Sequence, residues 1–170
     1  MKKILIVIDM QNDFVTGALG SEAAQTATKN IADHIKDYDM VVFTRDTHND
    51  DYLNTLEGKY LPVQHCVKNT EGWEIVPELT DAASAIKNLY VVDKDTFGTF
   101  MWKNMPIKDT TQIEICGVCT DICVVSNALI LRALYPNREI VCHKDWCAGT
   151  TKEAHEAALA VMKSCQIKIV

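Results

Sequence analysis

Residues Ile113–Leu134, IEICGVCTDICVVSNALILRAL, decide the fold. The run opens on Ile, Cys and Val, which fits a buried strand, and Gly117 then breaks it. From Thr120 the spacing changes: Val124, Ala128, Leu131 and Leu134 recur every three or four positions, the period of an amphipathic helix. Asp121 falls in the expected first turn, where a carboxylate suits the positive end of the helix dipole. The stretch reads as strand, tight turn and helix, with Cys123 at the helix N-terminus. Unpaired backbone N–H groups and a positive partial charge there favour a thiolate, the form of cysteine that attacks carbonyls.

Working outward, Lys3–Ile8, KILIVI, is a continuous apolar run of the kind found in central parallel strands, and it ends at Asp9. Ser21–Lys36 has helical spacing through Ala24, Ala27, Ile31 and Ile35. Met40–Thr44, MVVFT, reads as a second strand, followed by Arg45, Asp46, Thr47 and His48. Asn49–Thr70 shows no periodicity and is expected to be a long loop over the active face. A short helix is expected between Trp73 and Ile86, then a third strand at Leu89–Val92 that ends at Asp93 and Lys94. Beyond the opening stretch come a strand at Glu139–His143, an alanine-rich helix at Lys152–Lys163 and a strand at Ile167–Val170. Such alternation predicts an α/β fold of three layers, α/β/α, around a six-stranded, mainly parallel sheet. At 170 residues, 48% hydrophobic, a single domain over residues 1–170 is expected.

The net charge is −6 and no stretch gathers Lys or Arg on one face, so no nucleic-acid or membrane partner is expected. Only five apolar residues separate Lys3 from Asp9, too few for a signal-peptide core or a span, and a cytoplasmic location is expected. The seven cysteines are odd in number and several sit in apolar runs, so most are expected to be reduced, buried small hydrophobes.

Three strand ends deliver Asp9, Lys94 and a cysteine to one edge of the sheet, the edge where open α/β sheets bind ligands. A carboxylate to take the thiol proton, a cation to hold both charges and a sulfur nucleophile make an acyl-transfer set. Taken singly, Asp9 as a turn cap, Lys94 as a solvated loop residue and Cys123 as a core thiol are adequate readings; their joint placement favours a site. Asp46 and His48 project to the same side of an extended segment, and His65 in the following loop completes a facial set for zinc or another divalent ion. On spacing alone the signal is weak, and solvated surface histidines beside acidic residues account for them better. No CxxC pair is present, and no glycine-rich phosphate loop follows a strand.

IVIDMQNDF with GAL, KDTFGTF, GVCTDICV and CAGTT together resemble the isochorismatase-like cysteine hydrolases, the family that includes nicotinamidases. The resemblance runs from the first strand to the last. It implies that Asp9 is the catalytic acid, Lys94 its lysine and Cys123 the nucleophile. It also implies a non-proline cis peptide bond between Val118 and Cys119, with the Cys119 and Cys123 backbone N–H groups forming an oxyanion hole. LPVQHCVKNTEGW resembles the segment carrying the later metal-binding histidine, which implies a divalent metal on Asp46, His48 and His65. That metal would be zinc, with manganese or iron as alternatives, and no organic cofactor is expected. Phe14, Leu19, Leu61, Phe97 and Val118 are expected to line the substrate pocket. The implied reaction converts nicotinamide to nicotinic acid and ammonia through a thioester; the implied partner is a small-molecule amide, and a homo-oligomer is expected. The chain departs from nicotinamidases at Asn54, where some have a fourth histidine, at Leu61, where a tryptophan is common, and in its short Lys94–Cys123 segment. A cysteine hydrolase acting on another amide, a ureido acid or a vinyl ether therefore stays open, as does a non-catalytic scaffold binding a small ligand or protein.

Overall fold

The structure, a computed structural model, describes residues 3–107 and 112–170. Strand β1 (Lys3–Ile8) has Ile4 to Ile8 fully buried and lies in the middle of the sheet. After the single turn α1 (Asn12–Val15), helix α2 (Glu22–His34) starts where the Ser21 hydroxyl accepts a hydrogen bond from the Ala24 N–H, and it buries Ala24, Ala27, Thr28 and Ile31. That cap satisfies one of the free N–H groups of the first turn. Strand β2 (Met40–Asp46) runs two residues beyond the sequence expectation. Helix α3 (Leu56–Tyr60) interrupts the segment expected to be irregular, and α4 (Pro77–Ala82) starts with proline in its first turn. Strand β3 (Asn88–Lys94), strand β4 (Gln112–Val118), helix α5 (Val125–Leu134), strand β5 (Glu139–Ala148), helix α6 (Lys152–Ser164) and strand β6 (Lys168–Ile169) complete the order.

The strands lie in the order β3-β2-β1-β4-β5-β6, all parallel. Helices α1, α2 and α4 pack together on one face and α5 with α6 on the other, giving the three layers. The chain winds outward from β1 to one edge and from β4 to the other. The carboxyl ends of β1 and β4 therefore form the switch point at which such sheets open a crevice. Gly117 allows that crevice to close at its base. Its φ is +116°, and a Cβ there would clash with the Ile8 carbonyl oxygen of the neighbouring strand. Strand β5 continues past His143 through an irregularity: Ile115 pairs with Cys142, but Gly117 already pairs with Cys147. All seven cysteines are free. No helix among the described residues is long and apolar enough to cross a membrane.

Candidate active site and metal centre

Asp9 follows β1 directly, Lys94 ends β3, and Cys123 sits in a π-helical turn, Thr120–Val124, that leads into α5. The three meet at the switch point. Lys94 Nζ lies 2.6 Å from Asp9 Oδ2 and 3.6 Å from Cys123 Sγ, with all three side chains buried. Asp9 has φ +50°, a left-handed conformation that costs a non-glycine residue about 1–2 kcal/mol. Thr44 holds it there: its hydroxyl donates to Asp9 Oδ1 at 2.6 Å and accepts from the Asp9 N–H at 3.1 Å.

Burial and charge inside this enclosure shift all three groups. Burial pushes the Cys123 thiol well up and the Asp9 carboxylate adds to the shift, against the opposing charge of Lys94. Full burial beside a carboxylate thus opposes the thiolate that the backbone N–H groups of a helix start favour. Burial also raises Asp9, opposed by Lys94 and reinforced by Asp46. Burial would lower Lys94, but the carboxylates of Asp9 and Asp46 hold it charged. Cys119 is pushed up to about 12, chiefly by burial. The Val118–Cys119 peptide bond is cis, as expected from the resemblance. The Cys119 N–H donates to no described residue.

Asn127, fully buried on α5, locks the nucleophile's turn. Its Nδ2 donates to the Cys123 carbonyl at 2.9 Å and the Phe97 carbonyl at 3.1 Å, while its Oδ1 accepts from the Thr99 N–H and the Trp102 indole, both at 3.0 Å. Asp121 accepts from the Thr150 N–H at 2.8 Å, and Thr120 is hydrogen-bonded to His155 at 2.8 Å.

Beside the triad lies a second cluster. His48 Nε2 is 3.0 Å from Asp46 Oδ2, His65 Nε2 is 3.7 Å from the same oxygen, and Glu57 Oε1 is 3.7 Å from His48 Nε2. One donor atom from each of Asp46, His48, Glu57 and His65 falls within 4.8 Å of the others. Gln11 positions Asp46 by gripping its backbone at both ends, donating to its carbonyl at 2.8 Å and accepting from its N–H at 2.7 Å. His65 Nδ1 lies 2.7 Å from the Val63 carbonyl, which leaves Nε2 as the inward donor atom. Burial would raise Asp46, but its hydrogen bonds to His48 and His65 and the charge of Lys94 hold it well below the usual carboxylate range. Two imidazoles and two carboxylates converging in a buried pocket fit a divalent cation of the zinc, manganese or iron type. Lys94 Nζ also stands 3.3 Å from Asp46 Oδ1, so one ammonium touches both clusters.

A cavity of about 1010 Å³ joins them, and Phe14, Leu19, Leu61, Phe97 and Val118 all line it, with Cys123 on its wall. Every residue expected at the site is therefore brought to one place. Sequence reading missed Glu57, Gln11, Thr44 and Asn127. For Glu57 a signal existed: Thr55 begins α3 by accepting from the Gly58 N–H, an N-cap that places Glu57 in the first turn.

Comparison with known proteins agrees with this geometry. The model of the isochorismatase domain matches residues 3–170. The uncharacterized isochorismatase family protein PncA of Bacillus subtilis is 30% identical over 94% of this chain and 93% of its own length. The nicotinamidase/pyrazinamidase of Mycobacterium tuberculosis is 28% identical over 99% of this chain and 98% of its own. Among solved structures, the pyrazinamidase of Pyrococcus horikoshii in complex with zinc superposes with a TM-score of 0.82 at 30% identity, covering 100% of this chain and 99% of that one. A parallel six-stranded α/β/α fold, a cysteine, lysine and aspartate at its switch point, and a domain match across nearly the whole chain lead to one assignment: the chain belongs to the isochorismatase family.

Proposed function

We propose that the chain is a metal-assisted amidohydrolase that converts nicotinamide to nicotinic acid and ammonia. The observation that carries this reading is the opening of a buried Asp9–Lys94–Cys123 set and a two-histidine, two-carboxylate cluster into one apolar cavity. The relatives named nicotinamidase and pyrazinamidase support it.

Asp9 takes the Cys123 proton as the sulfur attacks the carboxamide carbon. The carbonyl electrons move to oxygen, and the Cys119 and Cys123 N–H groups receive the oxyanion. Lys94 keeps its charge throughout and holds Asp9 in line. Collapse of the tetrahedral adduct breaks the C–N bond, Asp9 returns its proton to the leaving nitrogen, and ammonia departs from a thioester. Asp9 then removes a proton from water, which attacks the thioester carbon; the C–S bond breaks, the sulfur regains the proton from Asp9, and nicotinic acid leaves. Phe14, Leu19, Leu61, Phe97 and Val118 hold the ring and keep bulk water from the thioester. When bound to Asp46, His48, His65 and Glu57, a divalent metal, proposed to be zinc, supplies a Lewis-acid anchor for the pyridine nitrogen.

The test is ammonia release from nicotinamide by purified protein of measured metal content. Release is expected, and it should vanish in Cys123→Ala while metal content and melting temperature stay as in the wild type. A metal-loaded wild type that releases no ammonia would overturn the nicotinamide reading, and turnover surviving in Cys123→Ala would overturn the nucleophile.

A further inference from the structure

Strand β3 forms one edge of the sheet and, among the described residues, pairs with β2 alone. Leu89, Tyr90 and Val91 are 38%, 36% and 48% exposed. Successive strand residues point to opposite faces, so both faces of the sheet are uncovered at this edge. Natural edge strands are usually blunted by a lysine, a proline or a bulge. Asn88 to Asp93 contains no lysine or proline, and the register with β2 is unbroken. The Lys94 carbonyl accepts from the Thr47 N–H, which turns the Lys94 backbone towards β2. By alternation Tyr90 and Val92 face β2 as well, and Leu89, Val91 and Asp93 present their N–H and C=O groups outward.

We propose that β3 is a homodimer interface. Two copies of the chain pair antiparallel about a two-fold axis at Tyr90, joining their sheets into one. In this register Leu89 lies opposite Val91 of the second copy, and both have outward backbone groups, so each such pair exchanges two hydrogen bonds. The same symmetry sets Lys87 opposite Asp93 of the second copy. Lys87 is exposed and makes no ion pair with any described residue, while Asp93 keeps an exposed carboxylate beside Arg45. A register shifted by two residues either way would set an apolar residue opposite a charge, Leu89 against Asp93 or Lys87 against Val91. The stretch from Lys87 to Asp93 thus matches itself on reversal, apolar to apolar and cation to anion, as an isologous interface requires.

Sedimentation equilibrium of the full chain tests this, together with amide hydrogen exchange. A dimer is expected in which the Leu89 and Val91 amides exchange slowly, becoming fast on dilution to monomer. Combined Leu89→Lys and Val91→Lys should give a monomer of unchanged circular dichroism. The milder Lys87→Glu should raise the dimer dissociation constant about tenfold by setting like charges opposite each other, and added salt should reduce that difference. A monomeric wild type would overturn the proposal. So would a dimer that survives in the double-lysine variant, or slow exchange at Leu89 and Val91 that persists on dilution.

Discussion

Lys94 is the residue on which the two halves of the site depend together. Its Nζ is within 3.6 Å of Asp9, Asp46 and Cys123, and its removal would leave two buried carboxylates without a cation. Breaking a buried pair in this way costs about 3–5 kcal/mol. Lys94→Met is therefore expected to lose that much stability in urea unfolding as well as its turnover; loss of turnover at full stability would mean that water or another cation replaces the ammonium. The two cysteines of the turn separate side-chain from backbone roles. Cys123→Ala is expected to lower turnover by more than about a thousandfold, the scale of nucleophile deletions in other hydrolases. Cys119→Ala should leave it within about threefold, because only the Cys119 N–H is used. A collapse of turnover in Cys119→Ala would show that its sulfur takes part. The place of Cys123 at a helix start is legible from spacing, whereas the burial beside Asp9 that raises its thiol is not, because that contact comes from β1, far away in the chain.

At the scale of elements, legibility followed length and amphipathic pattern. Strand β1 was read to the residue because an unbroken apolar run between Lys3 and Asp9 has few other uses in a folded chain. Strand β5 was expected to stop at His143, since Lys144, Asp145 and Trp146 break the apolar pattern. It goes on because Gly117 and Val118 offer partners to Cys147 and Ala148 beyond the irregularity. Helix α3 left no periodic signal, because five residues are too few to show a stripe. It is held by the Thr55 cap and by the Tyr52 hydroxyl donating to the Leu61 carbonyl at 2.9 Å. Its cost to the sequence reading was Glu57, the fourth donor of the metal cluster. Glu57→Gln keeps the size of the side chain and removes its charge, and is expected to weaken metal binding at least about tenfold in competition with a chelator. Equal affinity in the variant would take Glu57 out of the donor set and leave three ligands.

The whole molecule places a further buried acid, Glu114, on the same sheet as the site but at a different height. The site lies at the carboxyl ends of β1 and β4, whereas Glu114, two residues into β4, pairs across from Leu5 and Val141 nearer the amino ends. The Tyr38 hydroxyl donates to Glu114 Oε2 at 2.6 Å, and His143 is hydrogen-bonded to the same oxygen, its ring stacked on Trp146 with centroids 3.8 Å apart. None of this was legible in the sequence, since it joins β4, β5 and the turn before β2 and has no local spacing. Burial would raise the Glu114 pKa, but the bonds from His143 and Tyr38 hold it below the ordinary 4.5. The sign follows from linkage: a carboxylate whose pKa is lower in the folded than in the unfolded chain contributes stability above 4.5, and that contribution is lost as pH falls through the folded value. Glu114→Gln should therefore be less stable than the wild type at neutral pH, with the gap closing as pH falls below 4.5. Urea unfolding of both chains across that range measures the gap. A gap that stays constant with pH would mean that Glu114 contributes by shape and neutral hydrogen bonding, and that its charge is not what the Tyr38 and His143 contacts stabilise.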